Sequence, residues 1–123
     1  MLMQLAQIAL NEFGDVVISA TPLSRRASVP TKLRLQLCDG SFIDVWFSPD
    51  LTRYSLHWEQ RAQRGLVYRH DNAPDHPTIS TYPKHFHEGD EHAVTDSHIS
   101  AVPADALREF LAFARRKLDE WDS

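Results

Sequence analysis

A chain of 123 residues with 42 % hydrophobic residues can bury a core without cross-links, and it reads as one domain, residues 1–123. A formal charge of −4 argues against a general nucleic-acid-binding surface and leaves room only for a local one. The single cysteine, Cys38, excludes an internal disulfide and fits a reducing compartment.

The opening MLMQLAQIAL carries no basic leader and is too short to span a bilayer, so a cytoplasmic protein without membrane contact is expected. Leu2, Leu5, Ala9 and Phe13 recur at helical spacing and Gly14 follows as a stop, which predicts a short helix. Val16 to Ser19 reads as extended. The polar stretch with Pro22 and Pro30 reads as a loop or a bent edge strand. Two basic groups, Arg25, Arg26, Lys32 and Arg34, then Arg61, Arg64 and Arg69, are either solvated strand faces or a functional patch.

Leu33, Leu35 and Leu37 alternate with polar residues, and so do Ile43, Val45 and Phe47. Asp39-Gly40 between them signals a hairpin. A two-residue loop would pair Leu35 with Asp44 and put a carboxylate on the apolar face. A loop Cys38-Asp39-Gly40 with a left-handed Gly40 pairs Leu35 with Ile43 and Leu33 with Val45, and is preferred. Ser48-Pro49-Asp50 turns the chain into TRYSLHWE, where Tyr54, Leu56 and Trp58 share one face and Ser55, His57 and Glu59 the other. EQRAQRG turns again and LVYRH makes one more strand, giving a meander of three or four strands. A closing helix starts at Pro103 with an apolar stripe of Leu107, Phe110, Leu111, Ala114 and Leu118. Arg115, Arg116 and Lys117 read as cations placed in its last turns to oppose the macrodipole. The predicted fold is α+β: an antiparallel meander sheet with an N-terminal and a C-terminal helix packed on it. The face away from the helices, with arginines, His57 and Trp46, is a candidate site. Trp46 and Trp58 read as packing rather than base-stacking platforms, and Cys38 as a bystander.

The stretch HDNAPDHPTISTYPKHFHEGDEH, from His70 to His92, holds five of the seven histidines and three of the seven prolines. Pro74, Pro77 and Pro83 make it a shaped, irregular excursion of about twenty residues, a length that is uncommon without a function. Ile79, Tyr82 and Phe86 want burial and disfavour disorder. In His85-Phe86-His87 an extended backbone points both imidazoles to one side and Phe86 to the core. Three uses fit: a metal site of His85, His87 and His76 or His92 with Asp90; metal-independent phosphodiester cleavage by a charged and a neutral imidazole; or loop hydrogen bonding alone. Asp71-Asn72 reads as an Asx turn that fixes the loop's first bend. The carboxylates Asp71, Asp75, Glu88, Asp90 and Glu91 are expected to push the histidine pKa values upward.

The pieces LRLQLCDGSF, RYSLHW, DNAPDHP and PKHFHEGD, in this order between Leu33 and Asp90, resemble the TumE family of bacterial toxin–antitoxin toxins. The resemblance implies a small cytoplasmic toxin, encoded beside a DNA-binding antitoxin that neutralises it, with RNA as its target. The family's histidine motif falls on His76, His85 and His87, and its Asp-Asn pair on Asp71 and Asn72. Two positions depart. His70 stands where an aromatic is expected, and Asp75 where a second histidine is expected. Either the imidazole at 70 replaces the one missing at 75, or activity is lost.

Residues and resemblance together predict a metal-independent ribonuclease with no cofactor. His76, His85 and His87 are the expected acid and base, Lys84 and Arg69 the phosphate stabilisers, and Tyr82 a positioning group. Asp71, Asn72 and His70 shape the site. RNA and an antitoxin protein are the expected partners, and homo-oligomerisation stays open. The rivals are a non-catalytic protein-binding module and a metal-dependent nuclease that uses the same histidines as ligands.

Overall fold

The computed structural model describes residues 1–24 and 32–122, so Arg25, Arg26 and Pro30 lie outside the described residues. Helix α1 (Leu2–Glu12) leads into seven strands: β1 (Val17–Leu23), β2 (Lys32–Leu37), β3 (Phe42–Phe47), β4 (Tyr54–Gln60), β5 (Leu66–Asp71), β6 (His85–Gly89) and β7 (Val94–Asp96). A one-turn helix α2 (Arg61–Arg64) joins β4 to β5, and α3 (Pro103–Asp122) closes the chain. The strands pair in sequence order, every pair antiparallel. The fold is α+β as predicted, but the meander has seven strands rather than three or four. One extra strand comes from the segment around Val17, whose Pro22 is tolerated because β1 is an edge. Two more, β6 and β7, lie within and just after the histidine-rich stretch, whose longest irregular run is residues 72 to 84.

Register follows the side-chain alternation. Leu33 faces Val45 and Leu35 faces Ile43, across a loop in which the Gly40 amide donates to the Leu37 carbonyl at 3.1 Å. Gly40 has φ +86°, a left-handed value that a side chain disfavours, so the three-residue loop takes the glycine at the required place. The alternating apolar residues of β2, β3 and β4 then fall on one face, with Phe42 and Trp46 on the other. Leu33, Leu35, Ile43, Val45, Leu56 and Trp58 are each fully buried there. α1 adds Leu5 and Ala9, and α3 adds Ala106, Leu107, Phe110, Leu111, Ala114 and Leu118. Each large side chain of this set contributes roughly 1.5–3 kcal/mol by leaving water. The one core indole N–H, that of Trp58, donates to Ser41 Oγ at 2.9 Å.

One expectation about α3 fails. The helix continues to Asp122, so its last turn holds no basic residue and Arg115 to Lys117 lie upstream of it. Arg115 instead holds the first helix's exit, with its guanidinium 2.6 Å from Asp15.

The second face of the sheet is polar. Register sets its residues in rows that cross the strands. One row runs Lys32, Trp46, Ser55, Asp71, His85, Asp96; the next runs Arg34, Asp44, His57, Arg69, His87, Val94. Among the described residues no helix packs its apolar stripe on this side. Residues far apart in sequence are thus brought side by side on an open platform, with the histidines on it.

Candidate functional site

The site is assembled by the end of β5, the loop after it and the start of β6. Asp71 ends β5 and accepts a hydrogen bond from the Ala73 amide at 2.9 Å, the expected Asx turn. Asn72 pins this turn to the preceding hairpin: its Oδ1 accepts from the Tyr54 amide at 3.1 Å and its Nδ2 donates to the Thr52 carbonyl at 2.7 Å. The loop then folds through short turns, in which the Ile79, Tyr82 and Lys84 amides donate to carbonyls three residues back. It returns to pair β6 against β5, with His85 opposite Asp71 and His87 opposite Arg69. Phe86 points to the core and stacks on His70, with ring centroids 4.1 Å apart.

His76, carried by the loop, comes back over β6. Its ring centroid lies 4.6 Å from that of His85 and 5.8 Å from that of His87. One nitrogen from each of the three rings lies within 4.8 Å of the others. His85 and His87 are buried, at 1 % and 4 % exposure, and His76 is half-buried above them. They line a cavity of about 410 Å³ with Trp46, Arg53 and Asp71. That volume lies in the range of about 300–1,000 Å³ usual for ligand pockets.

The two buried rings have opposite surroundings. His85 stands between two acceptors: Nδ1 is 3.0 Å from the Pro83 carbonyl oxygen and Nε2 is 3.0 Å from Asp71 Oδ1. A ring bonds both only when both nitrogens carry hydrogen. His87 donates from Nδ1 to the Glu91 carbonyl at 2.8 Å, and its Nε2 accepts from Arg69 at 3.1 Å. A nitrogen that accepts is unprotonated, so this ring is neutral. Burial pushes the His87 pKa below the ordinary imidazole range and the Arg69 charge pushes the same way. The Glu91 carbonyl and the Asp71 and Glu91 charges oppose this and lose. For this histidine the expected upward shift is therefore reversed, because desolvation outweighs the carboxylates.

Arg69 spends all five of its N–H donors here. Nε bonds Asp71 at 2.9 Å; the terminal nitrogens bond Glu91 at 2.6 and 2.9 Å, His57 at 3.4 Å and His87 at 3.1 Å. The clamp holds the Glu91 carboxyl down at about 2. Glu91 was visible in sequence only as one carboxylate among five; the turn at Gly89, with φ +86°, carries it back onto Arg69. Tyr54 also lines the cavity. Its hydroxyl is buried without a hydrogen-bond partner among the described residues, and burial with the Asp71 charge pushes it up to about 12.

Three predicted residues are not brought to the cavity. The Lys84 ammonium donates to the Ile99 carbonyl. Tyr82 is 46 % exposed rather than buried. His70 lies on the core face, stacked on Phe86, with Nδ1 2.7 Å from Ser97 Oγ. It cannot stand in for an imidazole at 75, because adjacent strand residues alternate faces and Asp71 already occupies the site side. At position 75 itself, Asp75 reaches within 3.6 Å of His76 and 4.0 Å of His85.

His70 carries a stability prediction instead. Burial first, and the Lys84 charge next, lower its pKa to about 4. In the unfolded chain it would titrate at about 6.5, so between these values the unfolded state binds a proton that the folded state excludes. The contribution is complete above pH ~6.5 and falls by about 3 kcal/mol as pH drops to ~4. His70→Phe keeps a ring on Phe86 and removes that titration. Urea midpoints at pH 7.5 and pH 4.5 should then differ much less in His70→Phe than in the parent. Equal differences would show that another group carries the acid sensitivity.

Among the described residues no helix is long and apolar enough to cross a membrane. No curated protein and no solved structure matches the chain. The family model described as Toxin TumE matches residues 11–118, a span that takes in every strand of the sheet and the whole histidine cluster. With the match covering nearly all of the chain, this protein belongs to the TumE toxin family.

Proposed function

We propose that this toxin is a metal-independent ribonuclease, and that a DNA-binding antitoxin encoded beside it neutralises it. The observation that supports the reading most is the unequal pair at the base of the cavity, His85 set to donate and His87 set to accept. Cleavage of RNA by its own ribose needs that inequality. As a 2′-hydroxyl enters, His87 Nε2 gives up the hydrogen bond it accepts from Arg69 and takes the hydroxyl proton instead. The 2′-oxygen attacks the adjacent phosphorus. The bond from phosphorus to the 5′-oxygen breaks, and the 5′-oxygen takes the proton that His85 held against Asp71. The products are a 2′,3′-cyclic phosphate and a 5′-hydroxyl. His76, at the mouth of the cavity, faces the scissile phosphate. Arg69 positions His87 and Asp71 rather than meeting phosphate, since no donor of its guanidinium is spare.

A second reading rests on a different observation: three imidazole nitrogens within 4.8 Å of one another are close enough to share one metal ion. Product analysis after chelation separates the two. Purified protein treated exhaustively with chelator should still cut single-stranded RNA and leave 2′,3′-cyclic phosphate ends. Loss of cleavage on chelation, with return on adding zinc or manganese, would hand the site to the metal reading.

A further inference from the structure

We propose that Trp46 and Arg53 form a nucleotide subsite for single-stranded RNA next to the histidines, Trp46 stacking a base and Arg53 holding the phosphate beside it. The inference rests on the ribonuclease reading for its substrate, but its geometry is independent of which histidine does what.

The cavity needs a cation for phosphate, and Arg69 is committed. An incoming phosphate would have to displace the Glu91 carboxylate from a two-point contact at 2.6 and 2.9 Å. Arg53 is not committed. It stands just before β4, exposed, and lines the same cavity. Its guanidinium makes no ion pair or hydrogen bond among the described residues, whereas Arg34, Arg61, Arg64, Arg69, Arg108 and Arg115 each bond a carboxylate. Only Arg116 is similarly unpaired among the described residues, and it lines a different cavity with His98 and Phe113.

The second half of the subsite is an unused aromatic face. Trp58 and Trp121 pack together with ring centroids 5.5 Å apart, inside an aromatic cluster. Trp46 makes no ring contact among the described residues; it is half-buried on the open face and walls the cavity. Its row runs Trp46, Ser55, Asp71, His85 across adjacent strands. Strands lie about 4.8 Å apart, so Trp46 stands about 14 Å along the sheet from His85. Small Ser55 between them leaves the hollow that a nucleotide would fill. A base on an indole with a neighbouring guanidinium is the usual chemistry of single-strand binding, tolerant of sequence because every base has a π face.

The test uses a short, fluorescently labelled single-stranded RNA whose riboses are 2′-O-methylated. It lacks the nucleophile and cannot be cleaved, so binding is read apart from chemistry. Trp46→Ala should weaken binding by about 5- to 150-fold, the range expected for losing one stacking platform, and Trp46→Phe should restore most of it. Arg53→Ala should weaken binding and lower the slope of log affinity against log salt by about 0.7, the value for one phosphate contact on a single strand. Trp46→Ala should leave that slope unchanged, and Arg116→Ala should change neither quantity. If Trp46→Ala and Arg53→Ala bind like the parent while the parent still cleaves ordinary RNA, the subsite is wrong and the ribonuclease reading stands. If the parent neither binds nor cleaves RNA, both fall together.

Discussion

His85→Ala should release a bacterial host from growth arrest and reduce RNA cleavage by about 10²–10⁴-fold, the usual loss for removing a positioned acid or base. His85 Nε2 stands 3.0 Å from Asp71 Oδ1 in a ring that is 1 % exposed, so no solvent molecule takes its place without a cavity opening. The loss is chemical rather than structural if the fold survives. The core side of β6 is carried by Phe86, which stays, and the ladder bonds of β6 are backbone bonds that Ala retains. Truncating a buried ring still costs stability, so His85→Asn serves as the second variant: it keeps more of the side chain than Ala and a donor toward the Pro83 carbonyl but cannot exchange a proton. Both proteins should unfold cooperatively above the growth temperature, and both should be non-toxic. Continued arrest by a folded His85→Asn protein would remove His85 from the chemistry. A parent protein that is inert at matched expression would instead favour the binding-module reading.

Sequence legibility follows how local the determining interaction is. The Leu33–Val45 and Leu35–Ile43 register was readable because alternation and one left-handed glycine decide it within a dozen residues. The stripe of α3 was readable for the same reason. The direction of His85 and His87 followed from period two alone. What sequence did not yield were the contacts that depend on which strands become neighbours. Arg69 looked like a free phosphate ligand until β6 and the Gly89 turn brought His87 and Glu91 against it. Lys84 looked like a site residue because it adjoins His85, yet adjacent positions on a strand face opposite ways. The basic residues near the end of α3 were misplaced because the helix runs on through an acidic turn. Alternation alone put Trp46 on the open face and Trp58 on the core face; only the strand order shows that Trp46 shares a row with Asp71 and His85.

The cleavage rate should rise and then fall with pH, with its maximum at about pH 6–7.5 where imidazoles titrate, and Asp71→Asn should narrow that bell from its alkaline side. The acidic limb reports loss of the base: His87 must be neutral, and burial with the Arg69 charge holds its pKa below the ordinary value, so that limb lies below pH ~6.5. The alkaline limb reports loss of the acid's proton. In the parent that proton is held between His85 Nε2 and Asp71 Oδ1. Asparagine keeps the volume and still accepts from the Ala73 amide, but its neutral oxygen holds an imidazolium proton less firmly than a carboxylate does. The alkaline limb therefore moves to lower pH. The maximal rate falls as well, because Arg69 loses one of its two carboxylates and with it part of its hold on His87. A reduction on the order of 10²-fold is expected, toward the low end for a lost acid or base, since both imidazoles remain. Both limbs give apparent values of a coupled cluster, so the comparison between variants carries the test. An Asp71→Asn enzyme that is slow but has both limbs unmoved would mean that Asp71 only shapes the loop. A parent profile that climbs steadily with pH would mean that a base acts without a paired acid, and the His85–His87 mechanism would be abandoned.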